Sequence, residues 1–333
     1  MTRRMTMRSR MLAVATGLAA DRIFGEPPSD MHPVARFGGA MSRLESKLWR
    51  DDRVSGVKYA LLGISAALSA GLALDAVARL TCSSGSGLPI TRSRSVPQVA
   101  SVAVATWVAT AGKELGAAAS EIGNYLLAGD LTSARGVLPA LVGRDPSTLG
   151  VSEISRAVVE SVAENTVDAV VAPAMWAAAG GAPGALAYRA TNTLDAMVGY
   201  RNPRYLAFGW ASARFDDWAN WLPARATAAL VVVVRPRSAA AVWRAVRTQA
   251  PTHPSPNSGV AEAAFAAVLG VTLGGVNRYD GIEEIRPELG SGPPPGPSDI
   301  ERSVRLSRDV MLLLMAFMAA PAGLSAMRRA VSR

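Results

Sequence analysis

The sequence predicts an all-α fold: a polytopic integral membrane helical protein with a broken or re-entrant helical hairpin and amphipathic cytoplasmic helices. Three observations predict it. Half of the 333 residues are hydrophobic and only 18% are charged, and the mean hydropathy of +0.20 exceeds that of an ordinary soluble domain. The excess is concentrated in uncharged runs at 59–74, 95–112 and 310–327, each approaching the roughly 20 apolar residues a membrane span needs. A further uncharged run, 169–188, is interrupted in its middle by Gly180, Gly181, Ala182, Pro183 and Gly184. Such a cluster stops a helix, because glycine is too flexible and proline lacks the amide donor.

Charge and cysteine content narrow the class further. The formal net charge is +9, with three lysines (Lys47, Lys58, Lys113) and the other basic residues arginine. The arginines stand singly between apolar runs and form no continuous stripe, which excludes a nucleic-acid partner and fits basic loops beside membrane lipid. Cys82 is the one cysteine, so there is no internal disulfide framework and no cysteine-based zinc cluster. With two histidines, any metal should be hard and oxygen-bound, meaning magnesium or manganese.

Taken in order, the chain opens with Arg3, Arg4, Arg8 and Arg10 before the apolar run 11–20. This is read as a retained short anchor or interfacial helix in preference to a signal peptide, because no polar spacer follows it. Asp21, Glu26 and His32 punctuate a Gly/Pro-rich turn, and His32-Pro33 sets an extended entry to the next helix. Candidate spans follow near 58–79, 95–112, 222–235 and 308–327, with the broken hairpin near 152–199, all in one multi-pass membrane domain covering 1–333. Asp75 is placed at the end of its span, since a carboxylate at the bilayer centre costs about 2.5–3.5 kcal/mol on insertion scales. The stretch 113–155 is a polar helical excursion, and 235–253 is basic and amphipathic. A short apolar helix is expected over 263–277 and a loop over 278–297, where Pro and Gly accumulate.

The chemistry-bearing residues gather at both ends of the uncharged hairpin. Glu160, Glu164 and Asp168 share one helix face, with Asn165 beside them. The second arm offers Arg189, Asn192 and Asp195 at spacings of three. If the chain reverses near 181 or 182, Asp168 and Asp195 should face each other. Converging carboxylates and amides make a ligand set for Mg²⁺, and Arg189, Arg201, Arg204 and Arg214 supply bidentate donors for phosphate or carboxylate. Buried salt bridges between membrane helices are the competing account, and spacing leaves both open. A single kinked span likewise remains an alternative to the hairpin.

Beyond the hairpin, Arg214, Asp217 and Asn220 repeat the three-residue spacing among Trp210, Trp218 and Trp221, which read as an interfacial belt. Asn257, Ser258, Glu262, Asn277 and Arg278 flank a short apolar helix, and the amides of Gly274 and Gly275 offer an anion site. No GxxxxGK[ST], strand-borne GxGxxG or HExxH occurs, so any nucleotide is bound outside those motifs.

The blocks ESVAENTVDAVVAP, GGAPGALAYRATNTLDAMVGYRN, FGWASARFDDWANWLPAR, PNSGVAEAAFAAVLGV and LGGVNRYDG, with the N-terminal D-R-x-x-G-E-P and His32-Pro33-Val34, closely resemble the CobD/CbiB family of adenosylcobinamide-phosphate synthases. The resemblance covers nearly the whole chain. The segment PPSDM before His32 departs from it by lacking an aromatic residue. It implies a multi-pass inner-membrane enzyme whose active site faces the cytoplasm. Such an enzyme joins a propionate carboxylate of adenosylcobyric acid to aminopropanol phosphate, or aminopropanol, in an ATP-dependent amide ligation of cobalamin biosynthesis.

On that chemistry Glu164, Asp168 and Asp195 are expected to hold Mg²⁺. Asn165, Asn192, Asn257, Asn277 and Arg278 are expected to bind ATP or substrate. Arg189, Arg201 and Arg214 are expected to clamp the reacting carboxylate or aminopropanol phosphate, and His32 or Asp217 to accept the amine proton. ATP is a cosubstrate, no tightly bound organic cofactor is expected, and a homo-oligomer is possible. The competing functions are a non-catalytic membrane sensor resembling the AmpE branch, or an ion-coupled transporter.

Overall fold

In the computed structural model the described residues are 5–27, 32–83, 96–143, 145–279 and 282–331, with the side chains of 81–83, 277–284 and 322–331 outside the description. Twelve helices, α1 to α12, carry the described chain, together with one two-stranded sheet. Two helices are long and apolar enough to cross a membrane, Arg53–Leu80 and the continuous stretch Val151–Val198. A third span arises if the pair Trp210–Val234 and Pro236–Thr252, bent by 113°, is counted as one. The chain divides into two units, one made of Met1–Ala111, Ala172–Ala219 and Leu314–Arg333, the other of Gly112–Val171 and Asn220–Leu313.

The first unit holds α1 (Met7–Phe24), α2 (Pro33–Leu48), α3 (Arg53–Ser83), α4 (Val96–Ala109) and α8 (Ala172–Val198). The Thr6 hydroxyl oxygen caps α1 by accepting from the Ser9 amide at 3.2 Å. His32 and Pro33 start α2, the proline at a position whose amide would have no helical partner. Helix α3 lays a stripe of small residues against its neighbours. A Cβ on Gly63 would stand 2.9 Å from Leu194 and Met41, and one on Gly71 only 2.4 Å from the Pro183 backbone. This is the close backbone approach that small residues permit between membrane helices. On its other side α3 exposes Leu61, Leu62, Leu68 and Leu72, as a lipid-facing surface requires. A core of Met41, Tyr59, Leu194, Val198 and Phe208 closes the base of the unit.

Helix α8 contains the predicted break. Gly181 leaves helical geometry at φ 68°, ψ −151°, a conformation open to glycine but not to residues with a Cβ. A Cβ on Gly184 would lie 2.3 Å from the Trp176 carbonyl oxygen. In a straight helix eight residues rise about 12 Å, so α8 is sharply broken at Gly181, as the Gly-Pro cluster predicts. The break is held by Arg10, which donates to the Ala179 carbonyl. Nearby, Asp75 accepts from the Ser101 hydroxyl at 2.7 Å.

The second unit holds α5 (Gly112–Leu127), α6 (Leu131–Val137), α7 (Val151–Thr166), a π-helical turn (Val167–Val171), α10 (Ala239–Thr248) and α11 (Ser258–Leu269). Most of α9 (Trp210–Val234) also belongs to it, as does the first half of α12 (Pro297–Val331), whose remainder from Leu314 belongs to the first unit. Gly150 starts α7, its amide donating to Glu153 at 2.7 Å. Helix α11 is almost wholly buried.

Here the sequence expectation fails. The helix expected to reach 277 stops at Leu269, because Gly270 takes the left-handed C-cap conformation (φ 71°, ψ 37°). The chain then forms β1 (Thr272–Tyr279) and β2 (Ile282–Gly290), paired antiparallel. Leu273 sits opposite Leu289, both fully buried, and an irregularity between Leu273 and Gly275 accommodates the two positive-φ glycines Gly274 and Gly275.

Candidate functional site

In the second unit α7 carries a ladder of polar side chains facing α11 and β1. Glu160 is buried and accepts the Gly274 amide at 2.8 Å. One turn earlier, Arg156 stands 4.0 Å from Glu160. It donates to the Gly274 carbonyl and, at 2.6 Å, to that of Val276. The anion that the Gly274 amide meets is therefore the protein's own carboxylate.

One turn further along, Glu164 accepts the Ser258 hydroxyl at 2.6 Å, at the first residue of α11. Asn165 donates back to the Ser161 carbonyl of its own helix at 2.9 Å. Asp168 falls in the π-helical turn, a widened geometry frequent at functional positions. Asn257, just before α11, accepts from Arg225 at 3.0 Å, and that guanidinium stacks on Trp221 at 4.7 Å. The backbones of Asn277 and Arg278 run through β1, while their side chains lie outside the described residues.

The first unit gathers a second set. His32 is buried, with Nδ1 accepting the Val34 amide at 3.2 Å and Nε2 3.9 Å from Glu26. Burial lowers its proton affinity, opposed by Glu26 and reinforced by the nearby Arg189. Arg189 is half-buried, and its Nε finds no hydrogen-bond partner among the described residues. Asn192 reaches Asp216 at 3.4 Å. Arg214, exposed, lies 3.9 Å from the half-buried Asp217, and Arg201 is exposed. Asp195 occupies the last turn of α8 beside Gly199, whose amide donates to its carbonyl at 2.6 Å. Arg204 is engaged elsewhere, paired with Glu45 at 3.1 Å and stacked on Trp49 at 4.9 Å.

The structure thus brings Arg189 near His32 and pairs Arg214 with Asp217, and at the start of α11 it gives Glu164 the Ser258 hydroxyl and Asn257 the Arg225 guanidinium. Among the described residues, no group of three or more His, Cys, Asp or Glu side chains is arranged to hold a metal ion. That does not fit a resident metal cage. It leaves room for a magnesium ion that arrives on nucleotide phosphates and meets one or two carboxylates.

A second histidine, unassigned by sequence reasoning, repeats the arrangement of the first. His253 is buried, its Nδ1 accepting the Ser255 amide at 3.1 Å and its Nε2 3.8 Å from buried Glu262. Burial lowers its proton affinity as well. The shared signal was present in the sequence: each histidine precedes a proline, and each Nδ1 accepts the amide two residues on. In His32 the accepting Nδ1 leaves the proton on Nε2, on the side of Glu26, whereas Nδ1 of His253 also stands 3.1 Å from the Ser255 carbonyl.

Comparison with known proteins supplies the remaining constraint. The family profile described as "CobD/Cbib protein" matches residues 14–307. A "Cobalamin biosynthesis protein CobD" of Mycobacterium tuberculosis is 48% identical over 311 residues, covering 92% of this chain and 93% of that protein. Proteins with the same description from Geobacter metallireducens and Halalkalibacterium halodurans are 42% and 38% identical. They cover 83% and 92% of this chain, and 85% and 95% of their own. No solved structure matches the chain.

Proposed function

The chain belongs to the CobD/CbiB family, and from that premise we propose that it is a membrane-bound enzyme of cobalamin biosynthesis. In this reading it joins a propionate carboxylate of adenosylcobyric acid to aminopropanol phosphate, or to aminopropanol, with ATP as the source of activation. The observation that carries the reading is the extent of the family match, which takes in both polar groups described above. The site faces the cytoplasm, where ATP is available.

Amide formation from a carboxylate needs a leaving group. The carboxylate oxygen attacks the γ-phosphorus of ATP, ADP departs, and an acyl phosphate forms. The amine nitrogen then attacks the acyl carbon, inorganic phosphate leaves, and the amine proton passes to a base. Charge must be neutralised in both steps, so positioned cations and polar donors carry the catalysis.

In the first unit Arg189, Arg201 and Arg214 suit the carboxylate or the phosphate of the amine substrate, and Asn192 and Asp195 suit its polar groups. Asp217 suits the amine proton better than His32. Both nitrogens of His32 are already directed, one at the Val34 amide and one towards Glu26, so its part is to start α2. In the second unit Glu164 and Asp168 suit the magnesium ion carried by ATP, and Asn165, Asn257, Asn277 and Arg278 suit its phosphates and nucleoside.

The test is direct. Detergent-purified protein is incubated with adenosylcobyric acid, ATP, Mg²⁺ and either aminopropanol phosphate or aminopropanol, with mass-spectrometric detection of the amide and of ADP or AMP. An ATP-dependent amide product is expected. Folded protein that gives no product with either amine and any nucleotide overturns the assignment.

A further inference from the structure

Helix α10 presents a surface that the proposed reaction does not use. It follows α9 across a bend of 113° at Arg235, so the chain leaves an apolar helix and turns sharply aside. One face of α10 is buried through Val242 and Ala245. The opposite face exposes Ala240, Trp243, Arg244 and Arg247, with exposed Arg237 just before it. Trp243 is 64% exposed, and the Arg247 guanidinium lies over its ring at 5.3 Å. Between Asp217 and Glu262 the sequence has no acidic residue; Arg235 pairs with the distant Asp309 at 2.6 Å, whereas among the described residues no carboxylate pairs with Arg237, Arg244 or Arg247.

We propose that this face of α10 lies on the bilayer surface and binds anionic phospholipid headgroups, with Trp243 at headgroup depth and Arg237, Arg244 and Arg247 on the phosphates. Three features select that occupant. The bend turns α10 aside directly after an apolar helix, as an interfacial helix requires. A tryptophan with an apolar body and a polar N–H belongs at the membrane–water boundary. Unopposed arginines attract anionic lipid, and each contributes roughly fivefold to partitioning near such a surface. The face then docks on an anionic leaflet, as basic segments on the cytoplasmic side do.

The experiment uses full-length protein carrying Cys82→Ser and Ala240→Cys, spin-labelled at the new thiol. It is reconstituted into vesicles of phosphatidylcholine alone or mixed equally with phosphatidylglycerol. Collision of the label with a water-soluble nickel complex is expected to fall several-fold when phosphatidylglycerol is present, and collision with oxygen to rise. High salt should abolish the difference in this protein, as should the combined Arg237→Gln, Arg244→Gln and Arg247→Gln variant. Equal accessibility in both lipids, or a difference that survives high salt, overturns the proposal. So does shielding of the label by duplex DNA or an acidic protein in phosphatidylcholine vesicles, which would give the face to that partner.

Discussion

Gly184 packs against the carbonyl of Trp176, eight residues earlier in the chain, with no room for a side chain between them. That contact makes the uncharged segment a sharply broken helix and not a straight rod. The adjacent Gly181 has the one non-helical backbone conformation within α8.

The contact predicts a contrast between neighbouring glycines. A Cβ at Gly184 would meet backbone at 2.3 Å, whereas one at Gly180 meets nothing within 4 Å. Gly184→Ala should therefore cost about 1–3 kcal/mol through forced displacement, seen as a lower unfolding midpoint in detergent. Gly180→Ala should be neutral or slightly stabilising, since alanine restricts the unfolded chain. Equal behaviour of the two variants would argue against the break.

The link between Glu160 and Gly274 predicts local stability of the β-hairpin. A charge-assisted hydrogen bond is worth about 1.5–3 kcal/mol, and removing the carboxylate also leaves Arg156 without its neighbouring charge. Glu160→Ala should accelerate amide exchange across β1 by one to two orders of magnitude, roughly, while α5 keeps its protection. Unchanged exchange in β1 would show that the strand is held by other contacts.

How much of this was legible in the sequence depends on the range of the interaction. The long apolar helix α3 and the Gly-Pro break announce themselves locally, through hydropathy and the conformational limits of two residue types. The family is legible because its blocks are contiguous. The β-hairpin was missed because the apolar alternation of 272–289 is short and follows a helix without a polar interval; only Gly270 marked the boundary. The partner of Glu160 lies 114 residues away and that of Glu164 lies 94 away, and no local pattern specifies such pairings. Sequence spacing made Glu160, Glu164 and Asp168 one acidic stripe. The structure gives Glu160 and Glu164 different partners and sets Asp168 in a π-helical turn.

The assignment of magnesium-bound ATP predicts the behaviour of two charge-neutral variants. Asp168→Asn and Asp195→Asn keep side-chain size and remove the negative charge. Each should lower ATP-dependent amide formation on the order of a hundredfold. If Asp168 meets the ion, its variant alone should also need more Mg²⁺ for half-maximal rate. A magnesium titration of the purified variants separates the roles. Normal rate and normal magnesium dependence for Asp168→Asn would remove it from the site.

The two histidines predict the pH dependence of stability. Burial lowers the proton affinity of His32 and of His253 in the folded protein, whereas the unfolded chain titrates near the ordinary value of about 6.5. Below that value the unfolded state binds more protons, so folding stability falls with falling pH. Their contribution is fully present above the unfolded value and is lost as the pH drops through the folded ones. Around His253 the charges that bear on this are Glu262 at 3.8 Å, Arg286, Glu164 and Glu160. The carboxylates moderate the effect, since they favour the imidazolium that burial opposes. Unfolding midpoints measured from about pH 8 to about pH 5 should decline. His253→Gln keeps a polar side chain but does not titrate, so it should flatten part of that decline while lowering stability at neutral pH. An unchanged slope in His253→Gln, with the same result for His32→Gln, would place the acid sensitivity in the carboxylates.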